Sequence, residues 1–369
     1  MNAGEEKKVK ILFAIGRFSV GGAEKLLVRQ INALDKKRFA PSLITLFDEQ
    51  KDTFANRVRI DECFRFRFIL DVPAFLRLYR YLRRKNFDVV VTSLFSANFL
   101  VRVAAIFARV PTIISYEHNI YPNKHGWQIF MDWLLAKRTA RIIVDSEAAR
   151  AFTARQEGIA LEKFVTLFIP PLLEQRPPMD AAALRTRLAI PLRAPVVLTV
   201  SRLVSDKGHT HLIEAAKNVL ARFPDAYFLI VGWGPLQDDL KKQAESLGIS
   251  SHVLLLGRMD IQDVLPLADV YVDSSISTDL PVAIMEAMRE GKAIVATSVG
   301  DVPVFIQNQK TGILVEPKNP ASLAAGIEML LTDAALRAKL GEGAKKKVQE
   351  YSLDAYMKAF EGLIHSLVA

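Results

Sequence analysis

Short apolar runs rich in Val, Ile and Leu alternate with stretches of helical period along the whole chain, the pattern of repeated βα units around a mostly parallel sheet. In the first half this predicts strands near 9–15, 41–47, 88–92, 112–116 and 141–145, with helices from Gly22 to Leu34, Ala97 to Ala108 and Trp127 to Lys137 between them. FIPPLLEQRPPMD, residues 168–180, gathers prolines that neither helix nor central strand tolerates, and the pattern restarts after it with PVVLTVSRL. The second half predicts strands near 195–201, 226–231, 252–256, 269–273 and 293–298, and helices near 207–221, 235–247, 281–290, 320–331 and 333–349. The simplest architecture is α/β, with two doubly wound domains, 1–170 and 171–350, facing across a cleft. A last helix, within 351–369, is expected to pack back onto the first domain.

Length supports this division, since 369 residues exceed one ordinary core. Apolar residues make up 50% of the chain and its charges are not blocked, which excludes a disordered protein. The apolar run in MNAGEEKKVKILFAIG is too short for a signal peptide, and residues 94–117 are broken by Arg102 and Arg109, so no leader or membrane span is expected. The single cysteine, Cys63, rules out an internal disulfide and suits a reducing compartment; its plain reading is a small, partly buried apolar residue. A cytoplasmic location is expected, peripheral on the inner face of the membrane. Charge is uneven: residues 1–168 hold 28 Lys+Arg against 17 Asp+Glu, while the remainder holds 21 against 23, so the first half should meet something anionic.

In open α/β sheets ligands gather beyond the carboxyl ends of strands, where helix N-termini converge. The first such turn, AIGRFSVGGAEKLL, places Gly21 and Gly22 before a helix, though not in the G-x-G-x-x-G spacing that would make a dehydrogenase. SRLVSDKG sets Arg202 and Lys207 around a loop entering a helix, a fork and a point charge able to clamp a diphosphate. In VGWGPLQDDL, Gly232 and Gly234 either make a tight connection or admit a base or phosphate, and Pro235 suits a helix start.

STDLPVAIMEAMREG continues the theme. Pro281 and Gly291 bracket a helix, Val282, Met285 and Met288 form its core stripe, and Glu286 beside them offers a carboxylate that can hold two ribose hydroxyls. His118 follows a strand in TIISYEHN; with six histidines and none at ligand spacing, no metal site is expected.

Together these segments resemble the family-4 glycosyltransferases. The resemblance runs nearly end to end, through IGRFSVGGAEKLL, SRLVSDKG, VGWGPL, LLLGRMD, LPVAIMEAMREGKAIVATSVG and GILVEPKNPASLAAGI. It implies the GT-B fold and a retaining, metal-independent transfer of sugar from a nucleoside diphosphate donor, UDP or GDP, with no cofactor. By the same resemblance Arg202 and Lys207 meet the donor diphosphate and Glu286 its ribose. His118 faces the transferred sugar, and Gly21-Gly22 meets phosphate and acceptor. Gly232, Gly234, Arg258, Thr278, Asp279 and Leu280 complete the donor set.

Several positions depart from the family pattern. Thr278-Asp279 stands where the first carboxylate of a Glu-x7-Glu pair is usual, with Asp279 the nearest substitute. Gly300-Asp301, Pro303-Val304, Pro170-Pro171 and Trp233 replace a Gly-Gly, a Pro-Glu, an Asn-Gly and an aspartate. Retention needs no carboxylate nucleophile, because the departing phosphate can take the acceptor's proton. The departures nonetheless frame an alternative, a catalytically impaired nucleotide-sugar-binding or scaffold subunit. The expected acceptor is a glycan or lipid-linked sugar of the cell surface. Val72 to Arg84 reads as an amphipathic helix whose Phe75, Leu76, Leu78, Tyr79 and Leu82 are available to an apolar surface and whose arginines suit anionic lipid. No nucleic-acid reading motif accompanies the basic half.

Overall fold

The protein is described from a computed structural model covering residues 8–18, 22–47, 58–118, 120–171, 176–278 and 280–368. Gly21 and Asp279 lie outside the described residues. Two compact units emerge, Met1–Ile169 with Leu353–Ala369, and Pro170–Ser352.

The first unit is a parallel sheet of β1 (Val9–Ile15), β2 (Phe39–Thr45), β3 (Glu62–Cys63), β4 (Val89–Ser93), β5 (Thr112–Glu117), β6 (Arg141–Val144) and β7 (Phe164–Thr166). Their spatial order is β3-β2-β1-β4-β5-β6-β7. All of Ile11 to Ile15 is buried because both faces of the sheet are covered, the reason such strands read as unbroken apolar runs. Leu12 and Ala14 point into a core shared with the helices Val72–Lys85 and Phe95–Phe107. Phe13, on the opposite face, meets Phe360 of the helix Leu353–Val368 at a ring-centroid distance of 6.2 Å. That last helix is fixed further by Gln30 Nε2, which donates to Tyr356 Oη, and by Asp35 N–H, which donates to Glu361 Oε1 at 3.0 Å.

The second unit holds β8 (Val196–Val200), β9 (Tyr227–Val231), β10 (Val253–Gly257), β11 (Val270–Asp273), β12 (Ala293–Thr297) and β13 (Ile313–Val315), in the order β10-β9-β8-β11-β12-β13. Near its start, the Arg176 fork grips Asp263 at 2.7 and 2.9 Å. In each sheet the strand order therefore reverses once, at β1/β4 and at β8/β11, and such a switch point leaves a crevice at the carboxyl ends of the strands.

Some elements differ from the sequence reading. β3, β7, β13 and the helix Glu147–Glu157 carry no clear period and are additions. Pro235 does not start its helix: it stands in a turn closed by Gln237 N–H to Gly234 C=O at 3.2 Å, and the helix runs Gln237–Ser246. In the helix Val282–Arg289 the buried stripe is Ile284, Met285 and Met288, with Val282 only half-buried, because Pro281 lies one residue before the first turn. Of the apolar positions of Val72–Lys85 expected at an external surface, Leu78 and Leu82 are buried in the core and Phe75 and Tyr79 pack against it, while Leu76 is exposed. Cys63 is half-buried, its thiol 3.4 Å from the Phe47 carbonyl.

Candidate active site

In the second unit the chain leaves β8 at Val200 and folds back over the β9 turn. Leu203 N–H donates to the Trp233 carbonyl at 3.0 Å, and Leu236 N–H to the Leu203 carbonyl at 3.1 Å. This backbone-on-backbone crossing explains both glycines. Gly232 has φ +145°, and a Cβ there would stand 1.8 Å from the Ser201 carbonyl oxygen; at Gly234 it would stand 2.3 Å from that of Leu203. Beneath the loop lies buried His209, with Nε2 3.0 Å from Ser201 Oγ and 3.1 Å from the Arg202 carbonyl. Burial pushes its pKa down, so a neutral ring whose Nε2–H donates to that carbonyl fits the site.

The other end of the loop is laced to the segment after β11. Ser274 Oγ donates to the Lys207 carbonyl at 2.9 Å, and Ile276 N–H to that of Asp206 at 2.7 Å. The Lys207 ammonium thereby reaches Thr278 Oγ1 at 3.2 Å, with Asp206 a more distant 3.9 Å away. Arg202 is exposed, and its guanidinium makes no hydrogen bond or ion pair among the described residues. A cation held by a neutral hydroxyl and a guanidinium with no partner among the described residues thus flank the switch between β8 and β11, an arrangement suited to a dianionic group.

Glu286 is half-buried one turn into its helix. Its charge reaches the buried Tyr271 phenol, which is raised well above its ordinary pKa, first by burial and then by Asp273 and Glu286. Asp273 closes β11, where its Oδ1 accepts from Ser275 N–H at 2.9 Å. Leu280 is half-buried, and its carbonyl accepts from Val282 N–H at 3.0 Å. Arg258 stands exposed just past β10, also without a partner among the described residues.

In the first unit His118 follows β5. Its Nδ1 lies 3.2 Å from Asp145 Oδ2 at the end of β6, and its ring stacks on Tyr116 at 4.0 Å. With Nδ1–H held by the carboxylate, Nε2 is the atom left for a ligand. Tyr116 Oη is 3.3 Å from Tyr356 Oη, so the terminal helix braces the stack. Gly22 opens its helix with no atom within 4 Å of a Cβ built on it, so packing does not demand glycine there.

Sequence reasoning missed Asp145, Tyr116, Tyr356 and His209, and also a buried ionic cluster behind His118. Lys124 Nζ pairs with Asp132 at 2.8 Å and Glu157 at 2.5 Å; Arg102 meets Asp132 at 3.4 Å; Asn98 Nδ2 donates to Glu117 Oε1 at 2.9 Å. Glu117 is pushed up by burial, as is Glu157, to about 7, while the neighbouring carboxylates push Lys124 up. For Asp145 and Asp132, the signal available was an aspartate beside an apolar run.

Family models match both halves: "Glycosyltransferase Family 4" over residues 20–167 and "Glycosyl transferases group 1" over residues 180–347. An alpha-D-kanosaminyltransferase of Streptomyces kanamyceticus is 33% identical over 275 residues, covering 70% of this chain and 71% of that one. The chain belongs to the family-4 glycosyltransferases. A second relative of this glycosyltransferase is the UDP-Gal:alpha-D-GlcNAc-diphosphoundecaprenol alpha-1,3-galactosyltransferase of Escherichia coli, 26% identical and covering 84% of each chain. The fold is GT-B: the crystal structure of Anabaena HepE in complex with UDP superposes with a TM-score of 0.82 at 23% identity, covering 97% of the glycosyltransferase and 100% of that chain.

Proposed function

We propose that the enzyme transfers a hexose from a nucleoside diphosphate donor to a hydroxyl of a glycan or lipid-linked acceptor in cell-surface glycan synthesis. It retains the anomeric configuration and uses neither metal nor cofactor. The observation that carries this reading is the Lys207–Thr278 contact at the β8/β11 switch, beside an exposed Arg202 guanidinium with no partner among the described residues. There the two cations take the diphosphate, and Glu286 the ribose hydroxyls. The transfer breaks the bond from the anomeric carbon to phosphate oxygen and forms one to the acceptor oxygen on the same face. The acceptor's proton passes to the departing phosphate, whose charge Arg202 and Lys207 meet. His118, aligned by Asp145, holds the transferred sugar through Nε2.

UDP is the first nucleotide to test, since the E. coli relative is named for UDP-Gal and HepE was crystallised with UDP; GDP is the second. The relatives are named as transferases, which does not favour a scaffold subunit. The test is a screen of UDP- and GDP-hexoses for transfer to polyprenyl-diphosphate sugars, with the product anomer read by NMR and chelator added in parallel. Retained configuration and chelator-insensitive turnover are expected. An inverted product or activity abolished by chelator contradicts the mechanism, and nucleotide-sugar binding without turnover revives the scaffold reading.

A further inference from the structure

We propose that one face of the first unit, formed by the helices Val72–Lys85, Phe95–Phe107 and Gly126–Ala136, seats on an anionic phospholipid bilayer. The proposal deepens the reading of a lipid-linked acceptor but is tested without donor or acceptor. These helices lead rightward across the sheet, from β3 to β4, β4 to β5 and β5 to β6, so right-handed crossovers put all three on the same face, and neighbouring pairs pack together. Each follows a strand along the chain and leads back to the next parallel strand, so their N-termini lie toward the carboxyl edge that carries His118.

That face has an apolar band and a cationic band. At the carboxyl edge Leu70 is 77% exposed and Val72 62% exposed. On the third helix Trp127 is 51% exposed and Phe130 54% exposed, and Trp133 and Leu134 are exposed as well. Trp127 stands edge-on to Phe95 and Phe99, both centroids at 6.2 Å, which links the aromatics of the second and third helices. At the far ends come exposed Arg80 and Arg84 on the first helix, and Lys137 and Arg138 after the third; Lys137 Nζ sits 3.6 Å over the Trp133 ring. The three helices contain a single acid, Asp132, which is buried against Arg102 and Lys124. No acid on these helices therefore opposes the exposed cations.

A protein partner would be served by the apolar band alone. Exposed tryptophans backed by cations on acid-free helices match instead the headgroup level of a bilayer, where amphipathic rings settle and anionic lipid attracts Lys and Arg. Among the described residues no helix is long and apolar enough to cross a membrane, so the contact is lateral.

The full chain is mixed with phosphatidylcholine vesicles with and without phosphatidylglycerol and sedimented. Trp233→Phe, in the other unit, leaves Trp127 and Trp133 as reporters for quenching by brominated lipid. Expected results are phosphatidylglycerol-dependent binding, quenching of those tryptophans, and affinity lowered about tenfold or more by Lys137→Glu with Arg138→Glu and by Trp127→Ser with Phe130→Ser. These side chains are exposed, and circular dichroism checks folding; should the aromatic pair not fold, the charge pair decides. No sedimentation, binding indifferent to both pairs, or a dimer in light scattering that the aromatic changes dissolve would overturn the proposal. Sugar transfer to a detergent-dispersed acceptor that persists in non-binding variants leaves the transferase reading intact.

Discussion

Among the described residues the Lys207 ammonium donates one hydrogen bond, to Thr278 Oγ1, with Asp206 a looser 3.9 Å away, and that hydrogen bond is worth about 1 kcal/mol to the fold. In the proposed role its charge is worth more to catalysis, since removing a group that meets transition-state charge typically costs about 3 kcal/mol. Lys207→Met is therefore expected to lower kcat/KM about a hundredfold while lowering stability in urea by no more than about 1 kcal/mol. Steady-state kinetics beside urea unfolding checks this, and a large stability loss with intact turnover would contradict it. Position 278 also shows what sequence resemblance conveys. The departure from glutamate was legible, but its consequence was not: a lysine left with a hydroxyl where the family pattern supplies a carboxylate. The Asp145–His118 pair is 27 residues apart and the Gln30–Tyr356 bond spans 326, separations at which no local pattern operates.

At the scale of elements, period told helix from strand where an element was long, and failed where it was short. Glu62–Cys63 offers two residues of pattern, and Glu147–Glu157 buries mainly alanine and threonine on its inner side. Period also could not say which surface an apolar stripe meets: Leu78 and Leu82 of Val72–Lys85 went to the core. The glycines were readable as turns, but the reason for Gly232 lies in the backbone of another loop, so Gly232→Ala is expected to cost about 2–4 kcal/mol in urea unfolding. A shift under a few tenths would show that the crossing yields. Behind His118, three carboxylates share two cations, and Glu157 is raised to about 7 from an ordinary 4.5. The folded protein then binds more protons than the unfolded chain between those values. This stabilisation is complete below 4.5 and is lost as pH rises through about 7, by about 3 kcal/mol. Glu157→Gln should flatten that part of the pH–stability curve; an equal slope in both proteins would contradict the assignment.

Over the whole molecule, each of the two sheets has one switch in strand order, and the described candidates His118, Arg202, Gly232 and Arg258 stand just past the carboxyl end of a strand. The βα rhythm made that arrangement legible, because most helices follow a strand and the central strands, such as Ile11 to Ile15, are buried on both faces. The family match extends the same logic to chemistry, and the Arg202–Lys207 corner is where the two meet. Its occupancy is the central claim, and calorimetric titration of UDP and GDP into the wild type, Arg202→Ala and Lys207→Met tests it most directly. The account predicts that one of the two nucleotides binds the wild type and that each variant weakens it about tenfold or more, the fall shrinking as salt is raised. Equal affinity in all three proteins would contradict it.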